Sequence, residues 1–231
     1  MMLKQWNDLP PSMQTEAVRP YYDALKKKQT SLFFKRVADI VCSLMLLAVL
    51  SPVFLILIVM IRLDSKGPAF FRQVRVTQYG KQFRIFKFRT MVQNADKIGS
   101  QVTTSNDARI TRVGRLIRKC RLDEICQLLN VLAGSMTLVG TRPEVPKYVE
   151  RYTPEMMATL LLPAGVTSEA SIRFKDEERL LQDAEDTDRV YVEQVLPQKM
   201  QFNLTSVKNF SFFGDFKLLF DTVIAVVKRD E

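Results

Sequence analysis

The feature that most constrains this chain is an uncharged, almost wholly apolar run from Ile40 to Ile61. As a straight helix the run would reach about 33 Å, which is enough to cross the hydrocarbon core of a bilayer. Ser51 and Pro52 interrupt it near its middle. Because proline removes a backbone donor and serine can bond a carbonyl one turn back, this pair predicts a bend in the helix.

Basic residues flank the apolar run on both sides. Lys35 and Arg36 precede it, and Arg62 and Lys66 follow it. Since positive charges close to a membrane segment prefer the cytoplasmic side, both ends of the run are predicted to lie there. The pattern therefore favours a re-entrant hairpin that enters and leaves the membrane on one face. A single membrane span and a buried core helix are the two alternatives.

The overall charge points to an anionic partner. The net charge is +9, and acidic residues concentrate in 150–193, so the rest of the chain is more basic still. Beside a membrane segment, anionic lipid and a phosphate-bearing substrate are the expected partners, and nucleic acid is not expected. The chain has no histidine, which excludes Ser-His-Asp and Cys-His nucleophile systems and histidine-ligated zinc. Catalysis would depend on carboxylates, lysine, arginine and a hard metal ion.

Local patterns predict a β-hairpin and a broken helix. Residues 70–76 and 82–89 are rich in β-formers and are separated by a turn sequence, which is typical of a hairpin. Residues 112–133 are mostly helical in pattern, with apolar positions at helical spacing after Leu122. That spacing slips near Arg121, so a helix is expected to start around Leu122.

The two ends of the chain suggest different roles. Residues 1–30 read as a polar, loosely structured extension or a short helix. Residues 212–227 carry apolar side chains at near-helical spacing, which predicts either an interfacial amphipathic helix or a helix docked on the core. We expect an N-terminal extension (1–33), a re-entrant membrane helix (34–62) and a cytosolic catalytic domain with interfacial helices (63–231).

The strongest candidate for chemistry is the adjacent acid pair Asp123 and Glu124, which follows Arg118, Lys119 and Arg121. One carboxylate can act as a nucleophile on phosphorus, and the other can hold Mg²⁺. Arginine and the metal would neutralise charge on a leaving phosphate. Taken alone, an acid pair at the start of a helix is more often a solvated, dipole-favoured pair.

Two further motifs are weaker. Asp186 and Asp188 form the DxD triplet that many glycosyltransferases use to hold a metal and a nucleotide, although here it lies in a generally acidic run. Arg142, in Gly140-Thr141-Arg142-Pro143, follows an apolar segment and could present a rigid fork to a phosphate. The alternative without a functional role is a solvated acidic turn for the DxD triplet and a surface arginine for Arg142.

Together these segments resemble the bacterial sugar transferases, the monotopic polyprenyl-phosphate phosphoglycosyl transferases. The resemblance covers about 34–227, most of the chain. It is carried by the order and spacing of motifs that are weak singly: Lys35-Arg36-Val37-Ala38-Asp39, Ser51-Pro52, Gly67-Pro68-Ala69-Phe70-Phe71, Phe86-Lys87-Phe88-Arg89-Thr90-Met91, Asp107-Ala108-Arg109-Ile110-Thr111, Leu122-Asp123-Glu124, Gln127-Leu128-Leu129-Asn130-Val131-Leu132 and Arg142-Pro143.

The resemblance implies a chemistry that these residues suit. Asp123 would attack the β-phosphate of a UDP-sugar, release UMP and hold a phospho-sugar covalently. A polyprenyl (undecaprenyl) phosphate would then take the phospho-sugar, which starts a surface or secreted glycan such as an exopolysaccharide or lipopolysaccharide. Glu124 matches the acid that the family associates with Mg²⁺. Two rivals stay open: a DxD glycosyltransferase that releases UDP, and a non-catalytic membrane scaffold that releases no nucleotide.

The same resemblance implies the binding residues and the location. Arg118 and Arg142 match phosphate-handling arginines of the family, and Lys87 and Arg89 lie in its basic segment. The expected protein is a mainly helical, monotopic α+β enzyme with a re-entrant helix kinked at Ser51-Pro52, a small β-hairpin and interfacial helices. It would work at the cytoplasmic face of the bacterial inner membrane among membrane lipids, as a monomer or a homodimer.

Overall fold

The computed structural model describes residues 3–95, 107–174 and 186–227. Within these ranges the protein is mainly helical with two small sheets, which confirms the predicted α+β class. The α-helices are α1 (Arg19–Lys26), α2 (Gln29–Asp64), α3 (Arg112–Lys119), α4 (Gln127–Leu132), α5 (Pro146–Val149), α6 (Glu169–Arg173), α7 (Thr187–Val190), α8 (Leu196–Lys208) and α9 (Phe212–Val227). The strands are β1 (Phe70–Val76), β2 (Gln82–Phe88), β3 (Met136–Val139) and β4 (Ala164–Thr167).

The apolar run forms the long helix α2. It is the one helix among the described residues that is long and apolar enough to cross a membrane. Pro52 lies inside the helix, and the Ser51 hydroxyl donates to the carbonyl of Ala48 at 2.8 Å. That serine bond was expected from the sequence. The bend and the re-entrant path stay predictions.

One face of α2 packs on the rest of the protein, while the other is bare. Asp39 accepts two hydrogen bonds from β3, and Leu57 and Ile61 are buried further along the same helix. The opposite face is apolar and solvent-accessible: the exposed fractions are 74% for Val49 and 83% for Leu63. An apolar face of this length on a soluble surface is unusual, and it is typical of contact with lipid.

The predicted hairpin is confirmed. Strands β1 and β2 are antiparallel, with Phe70 opposite Phe88. The connection contains Tyr79 and Gly80, both with positive φ, which tight hairpin connections require. The side chain of Asn130 on α4 accepts from the backbone of β2 at 2.8 Å and donates back to it at 3.0 Å. These two bonds hold α4 against the edge of the hairpin.

The break in the 112–133 segment is where the sequence predicts it, but the next helix begins later than expected. Arg121 is left-handed (φ 53°), and a single 3₁₀ turn, Leu122–Glu124, follows it. Helix α4 begins at Gln127 and not near Leu122. The left-handed residue redirects the chain, so one tight turn forms before regular α-helical bonding resumes.

The second sheet supports the loop after β3. Strands β3 and β4 are parallel, and the Gly140 amide continues the ladder by donating to Thr167 at 3.0 Å. A Cβ added to Gly165 would lie 2.1 Å from the carbonyl oxygen of Gly140. Only glycine permits this approach. The close contact fixes the start of the loop that carries Arg142.

The N-terminal segment is folded and contributes to the core. It contains the short helix α1, one of the two forms expected for it, but it is not loosely attached. Its apolar side chains are buried against 158–162 and the end of α8; they are Leu9, Met13, Val18, Tyr22 and Leu25. These residues are scattered among polar ones, so the sequence pattern alone did not predict a core contribution.

The C-terminal helix α9 is docked on the core, one of the two roles expected for it, and the interfacial role stays a prediction. It contacts α2, β3 and α6 along one side. On the other side it exposes an apolar row, Phe213, Phe216, Phe220 and Val223, and Phe213 is 81% exposed. The helix is therefore docked on the core and still presents an apolar face, next to that of α2.

Candidate active site

The acid pair lies on the 3₁₀ turn between α3 and α4. Asp123 is buried, with 9% of its surface exposed, and Glu124 is partly buried. Arg118 belongs to the last turn of α3. The left-handed Arg121 separates that helix from the turn, so the carboxylates lie on the 3₁₀ turn and do not continue the helix.

Glu124 is held by two cations from distant parts of the chain. Arg142, 18 residues away, donates from Nη1 to Oε2 at 2.9 Å and from Nη2 to Oε1. Lys87 on β2, 37 residues away, donates from Nζ to Oε1 at 3.1 Å. The arginine contact is a bidentate fork, which is among the strongest geometries for a guanidinium and a carboxylate.

The two adjacent carboxyls have opposite electrostatics. Burial raises the pKa of Asp123, and the charge of Glu124 raises it further, while Lys87 and the two arginines act against this. Burial also acts to raise the pKa of Glu124, but Arg142 and Lys87 outweigh it and hold that pKa well below its usual range. Glu124 is therefore the paired anion, and Asp123 is the destabilised one.

Lys87 is affected by the same environment. Burial lowers the pKa of its ammonium, and the charge of Glu124 partly restores it. Arg142 also acts to lower it by like-charge repulsion. Lys87 and Arg142 thus lie close enough to repel each other, and this repulsion favours the binding of an additional anion between them.

A cavity of about 330 Å³ opens beside this cluster. Its polar end is formed by Glu124 and Arg142, with Lys119 and Arg121 nearby. The remaining walls come from α2, β3, β4, α6 and α9 and are mainly apolar, with Leu46, Ile125, Leu128, Leu138, Val166, Ile172, Leu219 and Val223 among them. The cavity therefore joins a charged centre to the two helices that expose apolar faces.

The sequence model of the family described as bacterial sugar transferase matches residues 30–229. This range contains the acid pair, the lysine of β2 and Arg142. The chain belongs to the bacterial sugar transferase family.

Curated relatives of this chain are named for different sugars. A UDP-N-acetylgalactosamine-undecaprenyl-phosphate N-acetylgalactosaminephosphotransferase of Aeromonas hydrophila is 35% identical over 198 residues, 84% of this chain and 44% of the relative. An undecaprenyl-phosphate galactose phosphotransferase of Salmonella typhimurium is 36% identical over 218 residues, 88% of this chain and 42% of the relative. A UDP-glucose:undecaprenyl-phosphate glucose-1-phosphate transferase of Caulobacter vibrioides is 34% identical over 226 residues, 96% of this chain and 80% of the relative. The chain spans less than half the length of the first two.

The structure brings most of the predicted site residues together. Asp123, Glu124, Lys87 and Arg142 form one cluster, and Arg118 is near enough to lower the pKa of Asp123. Arg89 is not brought to this cluster. Although it is two residues from Lys87, it is buried elsewhere and donates to the carbonyls of Ser65 (2.7 Å) and Lys66 (3.0 Å) at the end of α2.

The DxD triplet lies apart from this cluster. Asp186 caps α7 by accepting from the Arg189 amide at 3.0 Å. Asp188 accepts from the Tyr148 hydroxyl and from the Lys147 ammonium, both at 2.5 Å. Both carboxylates thus make structural contacts. The rest of the predicted acidic surface, 175–185, lies outside the described residues.

The acid pair suits a metal ion that arrives with its substrate. In the ranges that the structure describes, no three acidic, cysteine or histidine side chains come together as a metal site. Both oxygens of Glu124 already accept hydrogen bonds from cations. Mg²⁺ is commonly bound by one or two carboxylates and completes its shell with substrate phosphates and water. Asp123 and Glu124 fit such an ion better than one enclosed by protein alone.

A second ionic cluster behind Arg142 was not predicted from the sequence. Glu144 is 6% exposed and contacts Tyr191 and Lys199. Arg75 approaches its other carboxylate oxygen at 3.9 Å. The one sequence feature that could have indicated this cluster is Glu144 itself, a charged residue directly after Arg142-Pro143 and before the apolar Val145. The partners are 47 and 55 residues away, so no local pattern connects them.

Proposed function

We propose that this sugar transferase moves a sugar-1-phosphate from a UDP-sugar to a polyprenyl phosphate, through a covalent intermediate on Asp123. The observation that carries the proposal is the pairing of a buried, destabilised carboxylate with a second carboxylate held by Arg142 and Lys87. The names of the relatives supply the general reaction, and the UDP-sugar and undecaprenyl phosphate come from those names. The identity of the sugar differs among them.

The first step is an attack on phosphorus. A carboxylate oxygen of Asp123 forms a bond to the β-phosphorus of the UDP-sugar, and the bond from that phosphorus to the bridging oxygen breaks. UMP leaves with the electron pair. A carboxylate whose pKa is raised is a better nucleophile than an ordinary one, provided that it is ionised at the working pH. No proton has to move in this step.

The cations provide the electrostatic stabilisation. Arg142 and Lys87, which hold Glu124, are also positioned to contact a diphosphate beside it, and Arg118 is a third cation for the same phosphates. Such preorganised charges stabilise a developing negative charge more strongly in a partly water-excluded site than they would in bulk water. Glu124, with Asp123, would hold Mg²⁺ together with the substrate phosphates. The ion would neutralise charge on the departing phosphate.

The second step returns the enzyme to its starting state. An oxygen of the polyprenyl phosphate forms a bond to the phosphorus on Asp123, and the bond from phosphorus to the carboxylate breaks. The acceptor is already an anion, so no general base is needed, which suits a chain without histidine. The cavity of about 330 Å³ could hold the phosphate near Arg142 and the first isoprene units against Leu46 and Leu219.

The contacts of α2 support a monotopic topology. Near its N-terminus, Arg36 donates to the carbonyls of Val131 and Leu132 at 2.6 and 3.1 Å. At its C-terminus, Asp64 accepts from the Val113 amide at 3.1 Å. Both ends of the helix are thus attached to one domain. A helix that crossed a bilayer would separate its ends by about 30 Å of hydrocarbon, so these contacts favour a re-entrant helix on the cytoplasmic face.

The decisive experiment follows the donor alone and then the complete reaction. Wild-type enzyme with UDP-sugar and Mg²⁺ should release UMP once and gain a sugar-phosphate mass on the peptide that contains Asp123. Asp123→Asn should lose at least about a thousandfold in turnover and form no adduct. Asp186→Asn, which keeps an N-cap oxygen and removes only a charge outside the cluster, should retain both. Release of UDP, absence of the adduct, or normal turnover by Asp123→Asn would refute the proposal.

The acceptor part is tested separately. Leu46→Trp should fill the cavity, raise the KM for polyprenyl phosphate about tenfold and leave adduct formation from UDP-sugar unchanged. Leu55→Trp, on the outward face of α2, is the matched control because Leu55 is 66% exposed. Equal effects of the two substitutions would exclude the cavity as the lipid site.

The topology part uses cysteine labelling in a Cys120→Ser background, since Cys120 is exposed. Lys27→Cys and Lys66→Cys flank the two ends of α2, and both should react from the cytoplasmic side only. Labelling from opposite sides would establish a span and overturn the re-entrant helix.

A further inference from the structure

Glu144 connects the loop of Arg142 to the hydrophobic core. It follows Arg142-Pro143, and its backbone carbonyl accepts from the Val76 amide at 2.9 Å, at the end of β1. Its Oε1 accepts from the hydroxyl of Tyr191 at 2.6 Å. Arg75 donates from Nη1 to the Pro143 carbonyl at 3.0 Å. The segment directly after Arg142 is therefore held on both its backbone and its side chain.

Lys199 completes this rear cluster, which we define as Glu144, Tyr191, Lys199 and Arg75. The Lys199 ammonium donates to the Tyr191 hydroxyl at 2.9 Å and lies 3.5 Å from Oε1 of Glu144. The phenol hydroxyl accepts from the lysine and donates to the carboxylate. Glu144, Tyr191 and Lys199 are each less than 7% exposed. Burial acts to raise the pKa of Glu144, but Lys199 and Arg75 outweigh it and lower that pKa.

A local irregularity brings Tyr191 and Lys199 to the same side of their helix. The segment Tyr191–Val195 is a π-helical turn between α7 and α8. In a regular α-helix, residues eight apart differ by about 80° around the axis. A π-turn accommodates one extra residue, which reduces the difference to about 20°. The hydroxyl and the ammonium can then meet at one carboxylate. Such turns occur often at functional sites.

Stability alone gives little reason to bury this cluster. Removing two cations and a carboxylate from water is costly, and apolar residues of similar volume would stabilise a core at least as well. What the cluster does is fix the position of a loop. Pro143 restricts the backbone between Arg142 and Glu144. Anchoring Glu144 therefore restricts where the Arg142 guanidinium can lie relative to Glu124.

We infer that Tyr191, with Glu144 and Lys199, is a positioning residue that orients Arg142 for the phosphates of the donor. The inference rests on the proposed function, because it assigns the rear cluster to the formation of the Asp123 adduct. None of the three residues needs to contact substrate. Their effect should pass through Arg142 and disappear when Arg142 no longer presents its fork.

A double-mutant cycle tests this route. Tyr191→Phe keeps the ring and removes only the hydroxyl, and it should slow adduct formation from UDP-sugar about tenfold. In an Arg142→Lys background the same change should have less than a twofold effect. Tyr148→Phe is the matched control, since Tyr148 is also buried, lies against Tyr191 with 4.7 Å between ring centroids and bonds Asp188 instead. It should leave the rate of adduct formation unchanged.

Lys199→Gln is the second variant, in case Tyr191→Phe fails to fold, and the same coupling with Arg142→Lys is expected. Equal slowing by Tyr191→Phe in the wild-type and Arg142→Lys backgrounds would overturn the inference. Unchanged adduct formation in both Tyr191→Phe and Lys199→Gln would overturn it as well. So would slowing by Tyr148→Phe as large as that by Tyr191→Phe. These outcomes require that the wild-type enzyme forms the adduct. Failure of the wild type to form it would instead refute the proposed function.

Discussion

Glu124 and Glu144 are both surrounded by cations, yet their environments differ in one important way. Around Glu124 a second carboxylate, Asp123, adds a negative charge that the cations only partly compensate. Glu144 has the Tyr191 hydroxyl as its neighbour instead of a second carboxylate, and this hydroxyl adds no negative charge. The cluster of Asp123, Glu124, Lys87 and Arg142 is therefore electrostatically strained and borders a cavity, whereas the carboxylate of the rear cluster is compensated by its cations and buried. The destabilised carboxylate occurs where chemistry is proposed, whereas the carboxylate of the rear cluster is stabilised.

The largest expected difference between the clusters is in activity. Glu124→Gln should reduce turnover by about a hundredfold or more, because it removes the anion that orders Arg142 and Lys87 and the expected ligand of Mg²⁺. Glu144→Gln should reduce it only about tenfold. Steady-state turnover with saturating UDP-sugar and polyprenyl phosphate measures both. Similar losses would mean that the two clusters do not divide the work in this way.

Stability should show the opposite order. Glu144→Gln leaves the buried Lys199 and the partly buried Arg75 without their carboxylate, and should cost about 3 kcal/mol, or roughly 6–12 °C in thermal midpoint. Glu124→Gln should cost less, since Arg142 is partly exposed and can turn to solvent. Because folding lowers the pKa of Glu144, its contribution should fade as the pH falls through that lowered value. Thermal melts of purified protein between neutral and acidic pH test this.

The strain at Asp123 can be increased by removing a cation. Lys87→Met should raise the pKa of Asp123 further and shift the acid limb of kcat/KM for UDP-sugar to higher pH. Lys81→Met is the matched control, because Lys81 is an exposed lysine directly before the same strand. A shift to lower pH, or an equal shift in the control, would contradict the assigned electrostatics.

The smallest expected effect is a gain in stability. Folding raises the pKa of Asp123, so the wild type loses stability as the pH rises through that value. Asp123→Asn avoids this loss and should be more stable by about 1 kcal/mol above it, with no gain at pH below about 3.9, the ordinary pKa of aspartate. The measurement is the difference in thermal midpoint across this range. A destabilised variant at high pH would show that Asp123 is not strained.

Local features were predictable from the sequence because near neighbours determine them. The hairpin follows from β-forming runs around a turn, and the break before the acid pair follows from a slip in helical spacing at Arg121. The long apolar helix and the candidate carboxylates were also evident. The exact helix start was not, because the left-handed conformation of Arg121 depends on the packing of the turn that follows.

Long-range contacts were decided by the tertiary structure alone. Lys87 and Arg89 are two positions apart in sequence. Side chains two positions apart along a strand point to the same face, so the strand pattern gave no reason to expect the two residues in different places. The structure sends Lys87 to Glu124 and Arg89 to the end of α2. The rear cluster and the folded N-terminal segment likewise depend on which elements meet. Sequence periodicity describes the faces of an element, while the partner of each face is set by the packing of the whole chain.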